Sequence, residues 1–385
     1  MDLNKLRVLF IALIYLPILS CAVTDTSSNF EQRVNDAVTA ELQAKKIPGI
    51  AVGVFKDGQI VLANGYGYAN IEYKVPVSTA TLFQSASIGK QFTAVALMLM
   101  VEDGKLALDE TIRAYFPDAP ISWQPITVRH LLNHTSGIAD YFEAMGSNGT
   151  PAFDLRHDYD PDELRDIFYR LPLNFKAGES FEYSNTGYVL LGFLIDKVSG
   201  KFYGDVLQER VFKPLGMQTA RGINEEDIIE NRAAGYQLVQ GKVKNQEWYA
   251  PLINTTADGS LYLSVQDYLA WDRGLIEKAI LKSESWTQVY TPAKMNSGQE
   301  YPYGFGWSVH HSKGLPWYHH SGSSQGFNVY ISRHLANNTT IVILTNLYGS
   351  EPWQLVDTIA DIIDPQLAKI SALIDDRQSK VVESE

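Results

Sequence analysis

The chain of 385 residues contains one cysteine, Cys21. No disulfide can therefore form within the chain, and past Cys21 no thiol is available as a nucleophile. Positive charge is also sparse: 32 Lys and Arg against 44 Asp and Glu give a formal charge of −12. No lysine-rich run occurs, and a surface that tracks phosphates needs clustered cations, so nucleic acid is not the expected partner. The acidic residues are spread along the chain, as on a solubilising surface. No internal repeat or low-complexity segment is present, and 45% hydrophobic with 20% charged residues is an ordinary globular composition. The length suits one large composite domain or two intimate ones.

Long apolar runs are confined to the start. Lys5 and Arg7 precede "VLFIALIYLPILS", too short for a comfortable membrane span and right for the core of a secretory signal over residues 1–20. The string Ile18-Leu19-Ser20-Cys21 resembles the bacterial lipobox that directs lipid attachment to the cysteine. Two readings stay open: a lipid anchor at Cys21 in the cell envelope, or ordinary cleavage nearby with Cys21 incidental. Either implies an exported protein, periplasmic, membrane-anchored or secreted.

After that segment the pattern is mixed. Phe30, Val34, Val38 and Leu42 recur at helical spacing up to Pro48-Gly49. Two β-rich runs flank Asp57-Gly58, a strong hairpin signal. "SASIGKQFTAVALMLMVEDGK" predicts a helix from about Ser87 to Glu102, apolar nearly all round and therefore buried. Residues 108–290 read as helices and loops. Strand signals return in hairpins around Lys313-Gly314 and Asn337-Asn338, before a last helix over about 351–363. Strands at both ends around a helical insertion predict an α+β fold: a sheet subdomain of residues 29–107 and 291–364, a helical subdomain of 108–290, and a tail of 365–385.

Two serines compete as nucleophile. Gly322-Ser323-Ser324-Gln325-Gly326 is a G-x-S-x-G box, which in a strand-turn-helix setting would expose Ser324. A strand-like run, "FNVYISRH", follows it instead, and the one histidine downstream, His334, sits beside a predicted turn. Ser324 is rejected on that context. The rival is Ser87-Ile88-Gly89-Lys90, the one S-x-x-K in the chain. Three residues apart on a helix, hydroxyl and amine share a face. Burial beside the positive end of the helix dipole disfavours the ammonium and lets the amine accept a proton. On its own Ser87 reads better as a helix N-cap, a place that favours serine.

Company decides between those readings. Tyr183-Ser184-Asn185 lies just before a helix, and His320-Ser321-Gly322 opens onto a β-run. In this order S-x-x-K, Y-x-N and H-x-G resemble the three motifs of the serine β-lactamase and penicillin-binding protein superfamily, class C branch. "IPGIAVGVFKDGQIVLANGYGYAN", "ITVRHLLNHTSGI", "DGSLYLSVQDYLAWD" and "YGFGW" look like the same family, so the resemblance covers about residues 30–350. It implies a β-lactamase/transpeptidase-like domain over 29–364, an antiparallel sheet built from both ends of the chain and flanked by helices.

By that resemblance Ser87 is the acylated nucleophile and Lys90 helps deprotonate it. Tyr183 would be the second proton shuttle, base in deacylation and donor to the leaving group. Asn185 would bind the substrate amide or order Lys90, and the N–H groups of Ser87 and Ser323 would form the oxyanion hole. His320 and Gly322 would bind substrate, Gly322 being small because substrate backbone passes close to it. No cofactor is implied, and no metal: His310-His311 and His319-His320 fall on paired strands but lack carboxylate or cysteine company at ligand spacing. His134, in "LLNHTSG", reads as a structural hydrogen-bonder.

The third motif departs from the lysine usual in lactamases of this branch. His320 at that place resembles certain D-Ala-D-Ala carboxypeptidases and D-aminopeptidases, and histidine anchors a carboxylate only when protonated. The expected function is a serine hydrolase acting through a Ser87 acyl-enzyme on small-molecule or peptide substrates, amides or esters, with efficient antibiotic hydrolysis not the first choice. The alternatives are a small-ester esterase and a non-catalytic binding module on the same scaffold.

Overall fold

The structure, a computed structural model, describes residues 24–145 and 153–374. The segment expected to direct export, Cys21 and the end of the tail lie outside those residues. The first helix, α1 (Thr24–Lys45), leads into β1 (Gly49–Lys56) and β2 (Gln59–Asn70). Asp57 and Gly58 between them both take positive φ, 51° and 70°. That pair of conformations matches the right-handed twist of the strands it joins, which is why Asp-Gly is favoured there. A short β3 (Val75–Pro76) follows, then a 3₁₀ turn at Ala86–Gly89 that runs into α2 (Lys90–Glu102).

The middle of the chain contributes α3 (Asn185–Ser199) and α4 (Val265–Ile276). Ser184 caps α3 by accepting from the Gly187 N–H, and Ser264 with Asp267 forms a capping box on α4. The end supplies β4 (Ser308–Ser312), β5 (Leu315–Ser324), β6 (Phe327–His334), β7 (Thr339–Thr345) and α5 (Trp353–Ile363). The seven strands form one antiparallel sheet in the order β4-β5-β6-β7-β1-β2-β3. β1 therefore pairs on one side with β2 and on the other with β7, from Ile50↔Thr345 to Lys56↔Thr339.

Alternation along these strands divides their side chains between two cores. Ile50, Val52 and Val54 join Ile341 and Ile343 beneath α1 and α5, where Val34, Leu355 and Ile359 complete the cluster. Ala51 and Phe55 join Val342 and Leu344 on the opposite face, beneath α2 and α4. Every residue of α2 from Lys90 to Met100 is buried, as expected of a helix apolar nearly all round.

One expectation needs correction. The middle segment is not purely helical: Leu261–Leu263 pairs with Phe83–Gln84 and Arg221–Gly222 in a small sheet, and Tyr236–Val239 pairs with Lys242–Asn245. These strands are too short for alternation to register in the sequence. The tail is folded at its start, since Ile370 is buried and the Asp357 carboxylate accepts from the N–H groups of Ile370 and Ser371. Among the described residues no helix is long and apolar enough to cross a membrane.

Candidate active site

The turn that carries Ser87 is held under strain. Ala86 takes φ 45°, a left-handed conformation that costs a non-glycine residue roughly 1–3 kcal/mol. Two glycines grip it. A Cβ on Gly322 would lie 2.6 Å from the Ser85 carbonyl oxygen, and one on Gly259 would lie 2.6 Å from the Ala86 carbonyl. The Ser85 hydroxyl donates to the Gly259 carbonyl at 2.9 Å. The turn that carries Ser87 packs against Gly322 and by itself requires a residue without a Cβ there.

One turn on, Lys90 is wholly buried (0% exposed). Its Nζ lies 3.1 Å from Ser87 Oγ, 2.7 Å from Asn185 Oδ1 and 2.6 Å from the Asp258 carbonyl oxygen. Burial lowers its pKa to about 8, against the pull of the Asp258 and Asp140 charges. A useful share of the amine is therefore neutral near physiological pH, and it already touches the hydroxyl it would deprotonate. Ser87 is not the N-cap of α2: its side chain is engaged by Lys90 and takes no capping bond.

Tyr183 stands over the same amine, with the Lys90 Nζ 4.9 Å from its ring centroid. Its hydroxyl is buried and has no hydrogen-bond partner, and burial drives its pKa far above the usual phenol value, with the Ser87 side chain opposing. The group is a phenol, not a phenolate, at ordinary pH, so donation to a leaving group suits it and unaided base action does not. His134 packs against Tyr183 with ring centroids 4.2 Å apart, tilted by 34°, and accepts the Ser184 N–H on Nδ1. It fixes the backbone between Tyr183 and Asn185.

Ser87 and Asn185 open onto a cavity of about 310 Å³ that is also lined by Asp258, Ser323, Ser324 and the aromatic rings of Tyr141, Phe142, Tyr249 and Tyr348, among others; Lys90 and Tyr183 lie behind that lining. β5 overhangs β4: its pairing with β4 ends at His319↔Ser308, whereas β6 accompanies it to Ser324↔Phe327. The last residues of β5 therefore present an edge beside the turn that carries Ser87, with exposed Ser321 and Ser323 alternating with buried His320 and Gly322. The predicted oxyanion donors Ser87 and Ser323 line the same cavity. Ser324 lines it too, but donates to Gln84 Oε1 at 2.8 Å and is followed by a turn and a strand.

Known proteins place this arrangement. The family model for Beta-lactamase matches residues 34–362. The chain belongs to the Beta-lactamase family. It is 30% identical over 304 residues to penicillin-binding protein 4* of Bacillus subtilis (strain 168), covering 75% of this chain and 66% of that one. It is 29% identical over 325 residues to a D-aminopeptidase of Gluconobacter oxydans (strain 621H), covering 83% and 60%. The chain thus spans less than two thirds of the length of either curated relative. Among solved structures, D-amino acid amidase from Ochrobactrum anthropi SV3 in complex with L-phenylalanine amide is similar at TM-score 0.73 and 26% identity, covering 88% of this chain and 99% of that one.

Within this Beta-lactamase family site the third-motif histidine behaves unlike a charged anchor. His320 is 5% exposed, its Nδ1 donates to the Ser321 carbonyl at 2.6 Å, and its Nε2 accepts from the Tyr303 hydroxyl at 2.8 Å. Burial lowers its pKa to about 4, helped by Lys90. Both ring nitrogens are occupied by protein groups and the ring is neutral at ordinary pH. The lining residues of the cavity include no lysine, arginine or histidine; the charged one is Asp258.

Two residues escaped the sequence reading. Asp140 accepts from the backbone N–H of Asn185 at 2.6 Å and from its Nδ2 at 2.9 Å. Asp258 offers its carbonyl to Lys90, while its carboxylate accepts from Tyr141 at 3.1 Å and Thr256 at 2.6 Å. Neither stands at a motif spacing from Ser87. The paired histidines stack ring on ring, His310 on His319 at 5.2 Å, and among the described residues no cluster of three or more metal-ligating side chains occurs.

Proposed function

We propose that this chain is an exported serine hydrolase that cleaves amides or esters through an acyl-enzyme on Ser87. The observation that carries it is the buried amine of Lys90, 3.1 Å from Ser87 Oγ and with its pKa lowered to about 8. Neutral Lys90 takes the hydroxyl proton as Oγ bonds to the substrate carbonyl carbon. The N–H groups of Ser87 and Ser323 hold the oxyanion. The Tyr183 phenol then gives its proton to the departing nitrogen or oxygen and recovers one from the Lys90 ammonium. Water, giving a proton to the neutral Lys90 amine, bonds to the acyl carbon, the C–Oγ bond breaks, and Lys90 returns the proton to Ser87 Oγ as the acid leaves.

The charge of the cleft narrows the substrate. With Asp258 in its lining and a neutral His320 behind it, the cavity lacks a cation to hold a free carboxylate. It suits amides or esters of amino acids or short peptides whose reactive end is uncharged, with an apolar side chain against Tyr141, Phe142 and Tyr249. The activities that name the similar D-aminopeptidase and D-amino acid amidase support that class. The basic-then-apolar start of the sequence supports export, and the string ending at Cys21 supports a lipid anchor.

The test is intact-mass analysis after incubation with a nitrophenyl ester, a phenylalanine amide of each hand and a fluorescent penicillin. Adducts that form on Ser87 and turn over support the proposal. Absence of an adduct or product with every donor favours a binding module instead.

A further inference from the structure

We infer that Asp140 is a positioning residue that aims the lone pair of Lys90 at the Ser87 hydroxyl, an inference that rests on the acyl-enzyme reading above. A neutral amine has two N–H donors and one lone pair. Lys90 Nζ has three neighbours to share them among: the Asp258 carbonyl oxygen at 2.6 Å, Asn185 Oδ1 at 2.7 Å and Ser87 Oγ at 3.1 Å. The carbonyl can only accept. The serine hydroxyl can accept or donate. Asn185 is the neighbour whose orientation decides the outcome, because its amide has an accepting end and a donating end.

With the amide oxygen toward Lys90, both amine hydrogens go to pure acceptors. The lone pair is left for the Ser87 hydroxyl, which is the direction of proton transfer. With the amide turned over, its N–H would occupy the lone pair and an amine hydrogen would point at Ser87. The serine proton would then have no base.

Asp140 prevents the turn-over. Its Oδ2 accepts from both the backbone N–H and the Nδ2 of Asn185, at 2.6 and 2.9 Å, and its Oδ1 accepts from the Phe142 N–H at 2.8 Å. An ionised carboxylate has acceptors only, so it tolerates the NH₂ end of the amide and rejects the oxygen. Asp140 is 7% exposed, lies outside the cavity lining and acts through Asn185. Its charge also pulls the Lys90 pKa upward against burial, so removing the charge moves that pKa down.

The test is Asp140→Asn, which keeps the shape but offers Asn185 either end of an amide. Acylation by a nitrophenyl ester is followed across pH, alone and combined with Asn185→Ala. We expect kcat/KM to fall about 100-fold, the scale of a misdirected general base, with the ascending limb of the pH profile moved to lower pH. On the Asn185→Ala background the same change should cost less than about threefold, because coupled residues are not additive. A merely structural role predicts an unmoved limb and additive losses, and either result overturns the proposal. So does a loss below about threefold in the single variant, too small for a residue that directs the base. Asp140→Ser, whose hydroxyl can donate as well as accept, should repeat the loss and the shift. Failure of both Asp140 variants to fold while Asn185→Ala folds would make Asp140 a scaffold residue and likewise overturn it. A wild-type chain that never acylates Ser87 would instead sink the hydrolase reading itself.

Discussion

Two serines line one cavity, Ser87 before α2 and Ser324 at the end of β5, each beside glycines. Ser324 stands in the more familiar string of letters, yet its hydroxyl is spent on an amide oxygen and a strand leaves the turn behind it. Ser87 stands in an unremarkable string, yet a buried amine of lowered pKa touches its oxygen. On the reading proposed above, the contrast teaches that a nucleophile is made by the base it meets in space and by the desolvation of that base, not by flanking glycines.

The sharpest way to break this contrast is to delete each hydroxyl. Ser87→Ala should abolish adduct formation, while Ser324→Ala retains it, both read by intact mass; the reverse pattern would exchange the two serines' roles. Next in size, Lys90→Ala should slow acylation by about 10²–10⁴-fold in a stopped-flow ester assay, the range for a lost general base. The wild-type rate should rise with pH and level off above about 8, because the ammonium that predominates below the Lys90 pKa cannot accept a proton. Gly322→Ala should cost about 1–3 kcal/mol in denaturant unfolding, the scale of forced overpacking, since its Cβ would meet the Ser85 carbonyl. The smallest effect concerns His320, whose pKa of about 4 predicts no inflection in the kcat/KM profile near pH 6.5. An inflection there that His320→Gln removes would restore a protonated anchor.

Much of this was legible beforehand. The α+β class and the sheet drawn from both ends of the chain followed from where strand signals fell, and the family resemblance holds over most of the chain. The Asp57-Gly58 and Lys313-Gly314 turns were readable because positive φ demands particular residues. What stayed hidden depends on approach between distant segments. Asp140 and Asp258 touch Asn185 and Lys90 only after α2, α3 and the loop before the strand Leu261–Leu263 pack together, so no spacing announces them. The reason for Gly322 was hidden likewise, because its neighbour is the backbone of residues 85 and 86. The charge state of His320 needed the burial that Tyr303 and the sheet impose.

The position of β1 between β2 and β7 has a consequence for how the molecule comes into being. The serine-bearing turn leaves the ribosome early, but the glycine that grips it sits on a strand made near the end of synthesis. Such distant pairings are slow to close. A growing chain therefore cannot yet hold Ser87 in its gripped turn, and the site is assembled only when the carboxy-terminal hairpins dock against the amino-terminal ones.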